Sequence, residues 1–306
     1  MTDDFDFMNG CLPQDSLDRE TVELLEASAV SFATLYSVGD MPVLKWDDAF
    51  EQFLDRRGNV LEDMLLDGCP LFPWTVWNKH VRCGQLYFSQ GNTPSCMGHA
   101  DDFAYRSGLL TSMGLGAPLC WHETDPYQTW LLSKNGLFRG GQSVGVMAHF
   151  ANKNGHVLKG SKAASTQHQS ALVFLSGNET GLADKIRRCN KAGFGVALGN
   201  STAVNGTTLD KNNIQIATLG GHWAHATSFN AWLKKNGQEY VFWTNSHGKR
   251  YTKGTLGEPA DGAWMRVDKE LLAFLQTVPR FGQPYVCLSE GDILSTGDLT
   301  PSTPIF

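Results

Sequence analysis

The stretch SQGNTPSCMGHADDFA at residues 89–104 places a cysteine at the junction between a loop and a helix. Glycine, asparagine and proline precede Cys96, and apolar residues recur at helical spacing after it. A thiol at a helix N-terminus lies at the positive end of the helix dipole, which favours the nucleophilic thiolate. Gln90 could donate an amide N–H to an oxyanion that develops beside that thiol. These residues predict a reactive cysteine, with an inert core thiol as the alternative.

Two further segments supply partners for such a thiol. TLGGHWAHATSFNAW (218–232) places His225 at the start of an apolar strand, and YVFWTNSHGKRY (240–251) places Asn245 at the end of the next one. A short turn joins the two strands, so both side chains can lie side by side. An asparagine oxygen that accepts from one imidazole nitrogen fixes the tautomer and leaves the other nitrogen for the thiol. The sequence thus predicts a nucleophile, a base and a residue that orients the base.

Four segments, in the same order along the chain, resemble motifs of the papain-like cysteine peptidases. QGNTPSCMGHADDFA is similar to the family's Gln–Gly–x–Cys–Gly–Ser–Cys–Trp–Ala–Phe segment and keeps its spacing from glutamine to cysteine. HATSF resembles the His–Ala–Val strand, and TNSHG resembles Asn–Ser–Trp–Gly. FRGGQSVGVMAHFANKNGH (138–156) resembles the Asn–Gly–Gly turn and its helix, so that Gly140 and Gly141 would lie along a bound substrate. The resemblance covers about residues 75–265.

The resemblance implies a role for each matching residue. Cys96 falls on the nucleophile, His225 on the base and Asn245 on the residue that orients the base. Gln90 falls on the glutamine of the oxyanion hole. The implied reaction is peptide-bond cleavage through an acyl-enzyme, with no metal or organic cofactor.

The chain also departs from the family pattern near the site. Thr93 and Pro94 stand where the family has a disulfide cysteine and a glycine, which fits a reducing compartment. Met97 replaces the tryptophan that follows the nucleophile. His247 replaces the tryptophan that covers the histidine–asparagine hydrogen bond, so a wetter cover over the base is expected.

Composition and charge exclude several function classes. The chain has 306 residues, 42% hydrophobic and 18% charged, with a net charge of −6, which is typical of a soluble globular protein and not of a nucleic-acid binder. The acidic N-terminus lacks the layout of a signal peptide, so a cytoplasmic or virion-associated location is expected. Seven widely spaced cysteines without a CxxC pair indicate neither a disulfide framework nor a zinc site.

The two halves of the chain differ in pattern, which predicts an α+β fold with a papain-like two-lobed arrangement and a site in the cleft between the lobes. Helices are expected at 16–35, 46–66, 96 to about 110, about 141–153 and 179–193. Strands are expected at 171–176, 194–199, 214–219, 225–233 and 240–245.

Three regions are expected along the chain. Residues 1–75 form a helical extension that is either a pro-segment or an assembly arm, with a break at 67–74. Residues 76–282 form the peptidase-like domain, and residues 283–306 form a C-terminal extension.

Two other functions stay open. The fold could persist as a catalytically weak or inactive assembly protein, such as a virion component, whose terminal extensions bind partners. It could also be a cell-wall amidase or acyl transferase, because both reactions use the same Cys–His chemistry. The expected partners are a protein or peptide substrate and possible further copies in a larger complex, with no nucleic acid and no membrane.

Nearby polar residues receive simpler interpretations. His222 is expected in a loop, since strand alternation places it and His225 on opposite faces. His99 is expected at the surface or the cleft rim. Asp101 and Asp102 are expected on a solvated helix face, because a better Cys–His set is present.

Overall fold

A computed structural model describes residues 11–31, 41–81, 86–117, 119, 121–134, 140–251, 254–289 and 292. The expectations for residues 1–10, and those for Cys83 and Cys120, lie outside these ranges. Five cysteines lie within them and form no disulfide there: Cys11, Cys69, Cys96, Cys189 and Cys287.

Helices dominate the first half of the described chain. They are α1 Ser16–Ala27, α2 Asp48–Leu66, α3 Pro73–Val76, α4 Cys96–Gly114, α5 Pro126–Ser133 and α6 Val144–Asn154, with α7 Glu179–Lys191 and α8 Glu270–Leu275 further along. A short π-helical turn, Trp77–Val81, continues α3. Almost every residue of α4 is buried, because the helix runs through the interior and contacts the sheet on one side and other helices on the other.

The second half contributes most of a seven-stranded sheet. Its strands are β1 Val43–Leu44, β2 Ala171–Phe174, β3 Val196–Leu209, β4 Gln215–Lys235, β5 Gln238–Thr244, β6 Gly262–Arg266 and β7 Tyr285–Leu288. They lie in the order β1-β2-β7-β3-β4-β5-β6 and pair mostly antiparallel. The α+β fold expected from the sequence, helical first and β-rich afterwards, is confirmed.

Glycine lets the central helix approach its neighbours closely. A Cβ atom built on Gly98 would lie 2.6 Å from the carbonyl oxygen of Pro126, at the start of α5. A Cβ on Gly195 would lie 2.4 Å from the Cα of Ala104. Both distances are shorter than real Cβ contacts, so α4 depends on these glycines to fit between α5 and β3.

Helix α2 belongs to the main hydrophobic core although it lies in the expected N-terminal extension. Phe50, Phe53 and Leu54 are buried in one cluster with residues of α7 and the sheet. Arg57 is fully buried; its Nε donates to the carbonyl of Ala192 at 2.7 Å and its Nη2 donates to Ser112 at 2.9 Å. Strand β1 also extends the sheet by pairing with β2.

Strand β7 lies inside the sheet, between β2 and β3. Its residues Tyr285–Leu288 are all buried. The boundary expected at residue 282 therefore separates β7 from the two strands with which it pairs.

Some expected elements have different bounds. The helix expected over 16–35 ends at Ala27, and residues 32–40 lie outside the described ranges. The strands expected at 214–219 and 225–233 are one long strand, β4. Its pairing with β3 shifts register between Asn200 and Gly206, and Gly221 adopts φ +77°, so the strand can bend without ending.

Within the described ranges, no helix combines the length and the apolar character that a membrane span requires.

Replacing Arg57 with alanine tests whether α2 is an integral part of the fold. Arg57 pairs with the fully buried Asp292 at 3.5 Å, and removing one partner leaves a buried carboxylate without its cation. We expect Arg57→Ala to lower the free energy of unfolding by about 3–5 kcal/mol in denaturant titration. The exposed neighbour Arg56 is the matched control, and Arg56→Ala should cost under about 0.5 kcal/mol. Equal effects of the two variants would mean that α2 is only loosely attached.

Candidate active site

The N-terminus of α4 differs from that of the other long helices. The side chains of Asp15, Asp47, Asp125, Ser143 and Asn178 cap α1, α2, α5, α6 and α7. At α4 the N-cap residue Ser95 makes no capping hydrogen bond from its side chain, and the first turn carries no acidic residue. The positive end of this helix dipole is thus not neutralised locally, which favours negative charge on the first residue, Cys96.

Cys96 contacts the strand that carries the predicted base. Its Sγ atom is fully buried and accepts a hydrogen bond from the backbone N–H of Ala226 at 3.3 Å. Ala226 directly follows His225 in β4. The structure therefore brings the candidate nucleophile beside the peptide unit of the candidate base, although 130 positions separate Cys96 from Ala226 in the chain.

The hydrogen bonds of His225 define its tautomer. Its Nε2 lies 2.8 Å from Asn245 Oδ1, which also accepts the backbone N–H of Ser246 at 2.8 Å. Because two donors converge on this atom, it is the amide oxygen, and His225 Nε2 carries the hydrogen. The Nδ1 atom of His225 is buried and has no hydrogen-bond partner among the described residues. It is therefore available as a proton acceptor.

Two rings contact the imidazole of His225. Trp223 lies 4.5 Å from it and His247 lies 4.2 Å from it, measured between ring centroids. Trp223 is held in place because its Nε1 donates to Asn200 at 2.8 Å. His247 contacts the imidazole of the candidate base, and Trp223 supplies an indole contact that sequence reasoning did not identify.

Burial dominates the electrostatics of the base. It lowers the pKa of His225 well below its ordinary value, and nearby His247 lowers it further, whereas the hydrogen bond to Asn245 raises it. An imidazolium at this position therefore needs a nearby anion to form near neutral pH. The thiolate of Cys96 is the group that could supply this charge.

Gln90 is fixed against the segment that carries Asn245. Its backbone N–H donates to the carbonyl of Ser246 at 2.7 Å, and its Oε1 accepts from the Ser246 hydroxyl at 2.5 Å. Its Nε2 donates to the carbonyl of Thr93 at 2.7 Å. An amide nitrogen carries two hydrogens, and the second has no partner among the described residues. Gln90 thus keeps one N–H that a substrate oxygen could use.

The glycine turn contacts the N-terminal segment of the same chain. Gly140 adopts φ +73°, which suits glycine, and it is exposed, whereas Gly141 is buried. Next to them, Gln142 pairs with Cys11 in a parallel bridge and accepts the backbone N–H of Leu12 at 3.1 Å. Residues 11–12 are therefore in contact with Gln142, the residue that follows the two glycines for which the sequence predicted a substrate contact.

The side chain of Cys11 reaches the sheet near the candidate nucleophile. A Cβ atom built on Gly199 would lie 2.5 Å from Cys11 Sγ, and Gly199 pairs with Ala226 across the sheet. Burial raises the pKa of the Cys11 thiol well above its ordinary value, and the proximity of Cys96 raises it further. Cys11 is therefore a neutral, buried thiol close to Cys96.

Asp18 anchors the segment that follows. Its Oδ1 accepts from the hydroxyl of Ser143 at 2.8 Å, at the N-terminus of α6, and backbone N–H groups of Gly145 and Val146 also bind the carboxylate. Burial nevertheless raises its pKa. We refer to residues 11–18 as the N-terminal strap.

Three expectations for nearby polar residues are wrong. His222 lies within β4 rather than in a loop, although it is exposed, and it pairs with Thr202. His99 is buried, and burial lowers its pKa to about 4. The carboxylates of Asp101 and Asp102 are fully buried instead of solvated.

The two carboxylates are buried because cationic or donor groups meet them inside the protein. Asp101 accepts from His156 Nε2 at 2.8 Å and from the Tyr285 hydroxyl at 2.7 Å, and Asp102 pairs with Arg106 at 2.7 Å. The described residues contain no group of three or more histidine, cysteine or acidic side chains that could hold a metal ion.

Comparison with known proteins gives a limited result. No protein-family model and no curated protein sequence matches the chain. Among solved structures, it is similar to digestive procathepsin L 3 from the larval midgut of Tenebrio molitor, with a TM-score of 0.45 and 13% identity over 69% of this chain and 68% of that one. It is also similar to proCathepsin B S9 from Trypanosoma congolense, with a TM-score of 0.47 and 8% identity over 72% and 77% of the two chains.

Thiol labelling tests whether this environment activates Cys96. At about pH 6, below the ordinary thiol pKa of about 8.5, limiting iodoacetamide should modify Cys96 before Cys69, because only a thiolate reacts rapidly. Cys69 is exposed and serves as the internal control. Peptide mass spectrometry reads both sites, and the unfolded chain should label both equally. Faster labelling of Cys69 in the folded protein, if it persists after residues 11–18 have been removed, would show that Cys96 is an inert core thiol.

Proposed function

We propose that the protein is a papain-like cysteine peptidase that cleaves peptide bonds through a Cys96–His225–Asn245 triad. One observation carries the proposal. His225 is buried, gives its Nε2 hydrogen to Asn245 and keeps an unpartnered Nδ1 among the described residues, and the next backbone N–H, that of Ala226, contacts Cys96 Sγ. A core histidine without function would ordinarily have both nitrogens satisfied.

The proposed reaction uses each group in turn. His225 Nδ1 takes the proton of Cys96, and the thiolate attacks the carbonyl carbon of the scissile bond. The backbone N–H of Cys96 and the remaining amide N–H of Gln90 stabilise the oxyanion of the tetrahedral intermediate. As the intermediate collapses, the imidazolium of His225 protonates the departing amine and an acyl-enzyme remains. Water activated by His225 then attacks the thioester and regenerates the thiol.

The surroundings make the first proton transfer favourable. Burial alone opposes charge on both groups, but a thiolate and an imidazolium side by side stabilise each other. The uncapped N-terminus of α4 adds further stabilisation of the thiolate. The hydrogen bond from His225 Nε2 to Asn245 leaves the Nδ1 atom of the same ring free to accept a proton. The orientation of the ring therefore does not depend on substrate.

We further propose that the N-terminal strap covers this site in the full-length chain. The strap contacts the glycine turn through Gln142, and the thiol of Cys11 packs against Gly199 beside the nucleophile. A peptide lying along Gly140 and Gly141 would compete with it for the same surface. The arrangement supports a pro-segment more than an assembly arm, because Cys11 is buried against Gly199, which pairs with the residue that follows His225.

A second candidate function is a non-catalytic assembly protein that retains the fold. Full burial of Cys96 and the bound strap favour it, because no substrate can enter while both persist. An amidase or acyl transferase would use the same residues with a different acyl donor or acceptor. The amidase and the acyl transferase differ from a peptidase in the acyl donor or acceptor and not in the triad.

Two histidines of β4 provide a matched test of the proposed base. His225→Ala should reduce cleavage of a mixed fluorogenic peptide library by at least about 10³-fold, because base and nucleophile act as one unit. His222→Ala should stay within a few-fold of wild type, since His222 is exposed on the same strand. Asn245→Ala should fall between them. Circular dichroism checks that each variant is folded.

The reverse pattern, with His222→Ala inactive and His225→Ala active, would contradict the assignment of the base. If the protein cleaves no peptide after the strap has been released, although Cys96 labels rapidly at about pH 6, the result contradicts a peptidase and the transferase reaction should be assayed.

Intact-mass analysis tests the proposal for the strap. During incubation the wild-type chain should lose a fragment that ends between α1 and β1, while Cys96→Ala remains intact. A cut there would release the strap but leave β1 and α2 in the core, where Leu44 and Phe50 are buried. Cleavage of both proteins at one rate would indicate a contaminating protease, and cleavage of neither would favour the assembly arm.

A further inference from the structure

The ring of His247 is part of a three-ring cluster around the base. Besides its 4.2 Å contact with His225, inclined at 33°, it meets Trp223 edge-on at 5.7 Å. It follows Asn245 and Ser246, both buried, and Gln90 holds Ser246 through backbone and side chain. The position of the His247 ring is therefore set by the same contacts that hold Asn245.

His247 can change its charge, unlike an indole. Its Nδ1 atom is buried and has no hydrogen-bond partner among the described residues, so a proton there would not be neutralised by an acceptor. Burial, followed by the nearby Arg250, lowers the pKa of His247 to about 4. The ring is consequently neutral at pH 6–8 and becomes a cation only in acid.

The charged and titratable groups around His225 and His247 come from three parts of the fold. His99 and Cys96 face it from α4, His225 itself lies on β4, and Arg250 lies in the loop that carries His247. Of these groups, only the thiolate of Cys96 is negative. None of these groups is a carboxylate that could neutralise a proton on His247.

Building on the proposed function, we infer that His247 is a positioning residue that holds the His225 ring through their tilted ring contact and, when protonated, shuts the site off in acid. Two cationic rings in contact repel each other, so a proton on His247 disfavours the imidazolium that His225 must carry beside the thiolate. The thiolate also gains its own proton in acid. As the pH falls, protonation of His247 and protonation of Cys96 both remove the active form. A site with an indole in place of His247 would lose activity through protonation of the thiolate alone.

The inference predicts the shape of the acid limb. One protonation lowers the rate about tenfold per pH unit below the midpoint of the acid limb. In the wild type, the rate of Cys96 alkylation should fall more steeply than this and approach about a hundredfold per pH unit. His247→Phe keeps an aromatic ring against His225 without a titratable group, so the acid limb of this variant should follow a single proton and lie at lower pH. His247→Trp should behave like His247→Phe. Both variants should react near neutral pH within a few-fold of wild type.

Nuclear magnetic resonance of the histidine ring nitrogens, recorded across pH in the folded protein, reports the protonation of His247 directly. Burial lowers the pKa of His99, His168 and His247 to about 4, so one of the resonances that titrate near pH 4 should disappear in His247→Phe while those of His99 and His168 remain. His222→Phe serves as the control, because His222 is exposed on β4 and touches neither Cys96 nor Asn245; it should leave the acid limb unchanged. Circular dichroism at each pH separates unfolding from titration.

The outcomes separate the inference from the proposed function. If His247→Phe has the midpoint and slope of the wild type, His247 does not control the acid limb and the inference is overturned. Loss of the neutral-pH reaction in a folded His247→Phe would overturn it as well, since His247 would then be required for the reaction itself. If His225→Ala leaves labelling of Cys96 unchanged at neutral pH, the proposed function fails, whatever His247 does.

Discussion

The hydrogen bond from the backbone N–H of Ala226 to the Sγ atom of Cys96 joins the central helix to the central strand of the site. Everything else in the site depends on this contact. It fixes the sulfur beside His225 and requires α4 to lie close to the sheet, which Gly195 permits. A larger residue at that position would move the helix away from the strand and separate Cys96 from His225.

Placing α4 in the interior has an electrostatic cost that the fold offsets with internal partners. The helix carries Asp101, Asp102 and Arg106 into the core, where isolated charges are strongly unfavourable. His156 and Arg106 meet the two carboxylates, and the pKa of His156 is raised by Asp101 despite its burial. These pairs fix how α4 is seated, and so they contribute to the position of Cys96 at its end.

The N-terminus of α4 lacks the side-chain cap that the other long helices have, and this difference affects the chemistry of Cys96. A capping carboxylate, such as Asp47 at α2, would stabilise α4 but would place negative charge beside the thiol. The missing cap instead leaves the helix dipole to act on Cys96. We expect the missing cap to make α4 less stable and to lower the pKa of the Cys96 thiol.

The sequence predicted the α+β order of elements because helical and strand spacing is local, and short motifs were sufficient to nominate Cys96, His225 and Asn245. It could not predict which distant segments meet. The parallel bridge from Cys11 to Gln142 joins parts of the chain that no periodic pattern connects. The burial of Asp101 was missed because its partners, His156 and Tyr285, come from an α6-flanking loop and the last strand. Trp223 was missed because β4 was interpreted as two strands.

The most direct test of the central claim is the ultraviolet absorbance of the thiolate, followed across pH as the difference between wild type and Cys96→Ala. The account predicts that Cys96 ionises in mildly acidic solution, well below the ordinary thiol pKa of about 8.5, and that His225→Ala moves the transition back toward that value. A single transition near or above the ordinary value in the wild type, unchanged in His225→Ala, would contradict the account and mark Cys96 as a buried structural thiol.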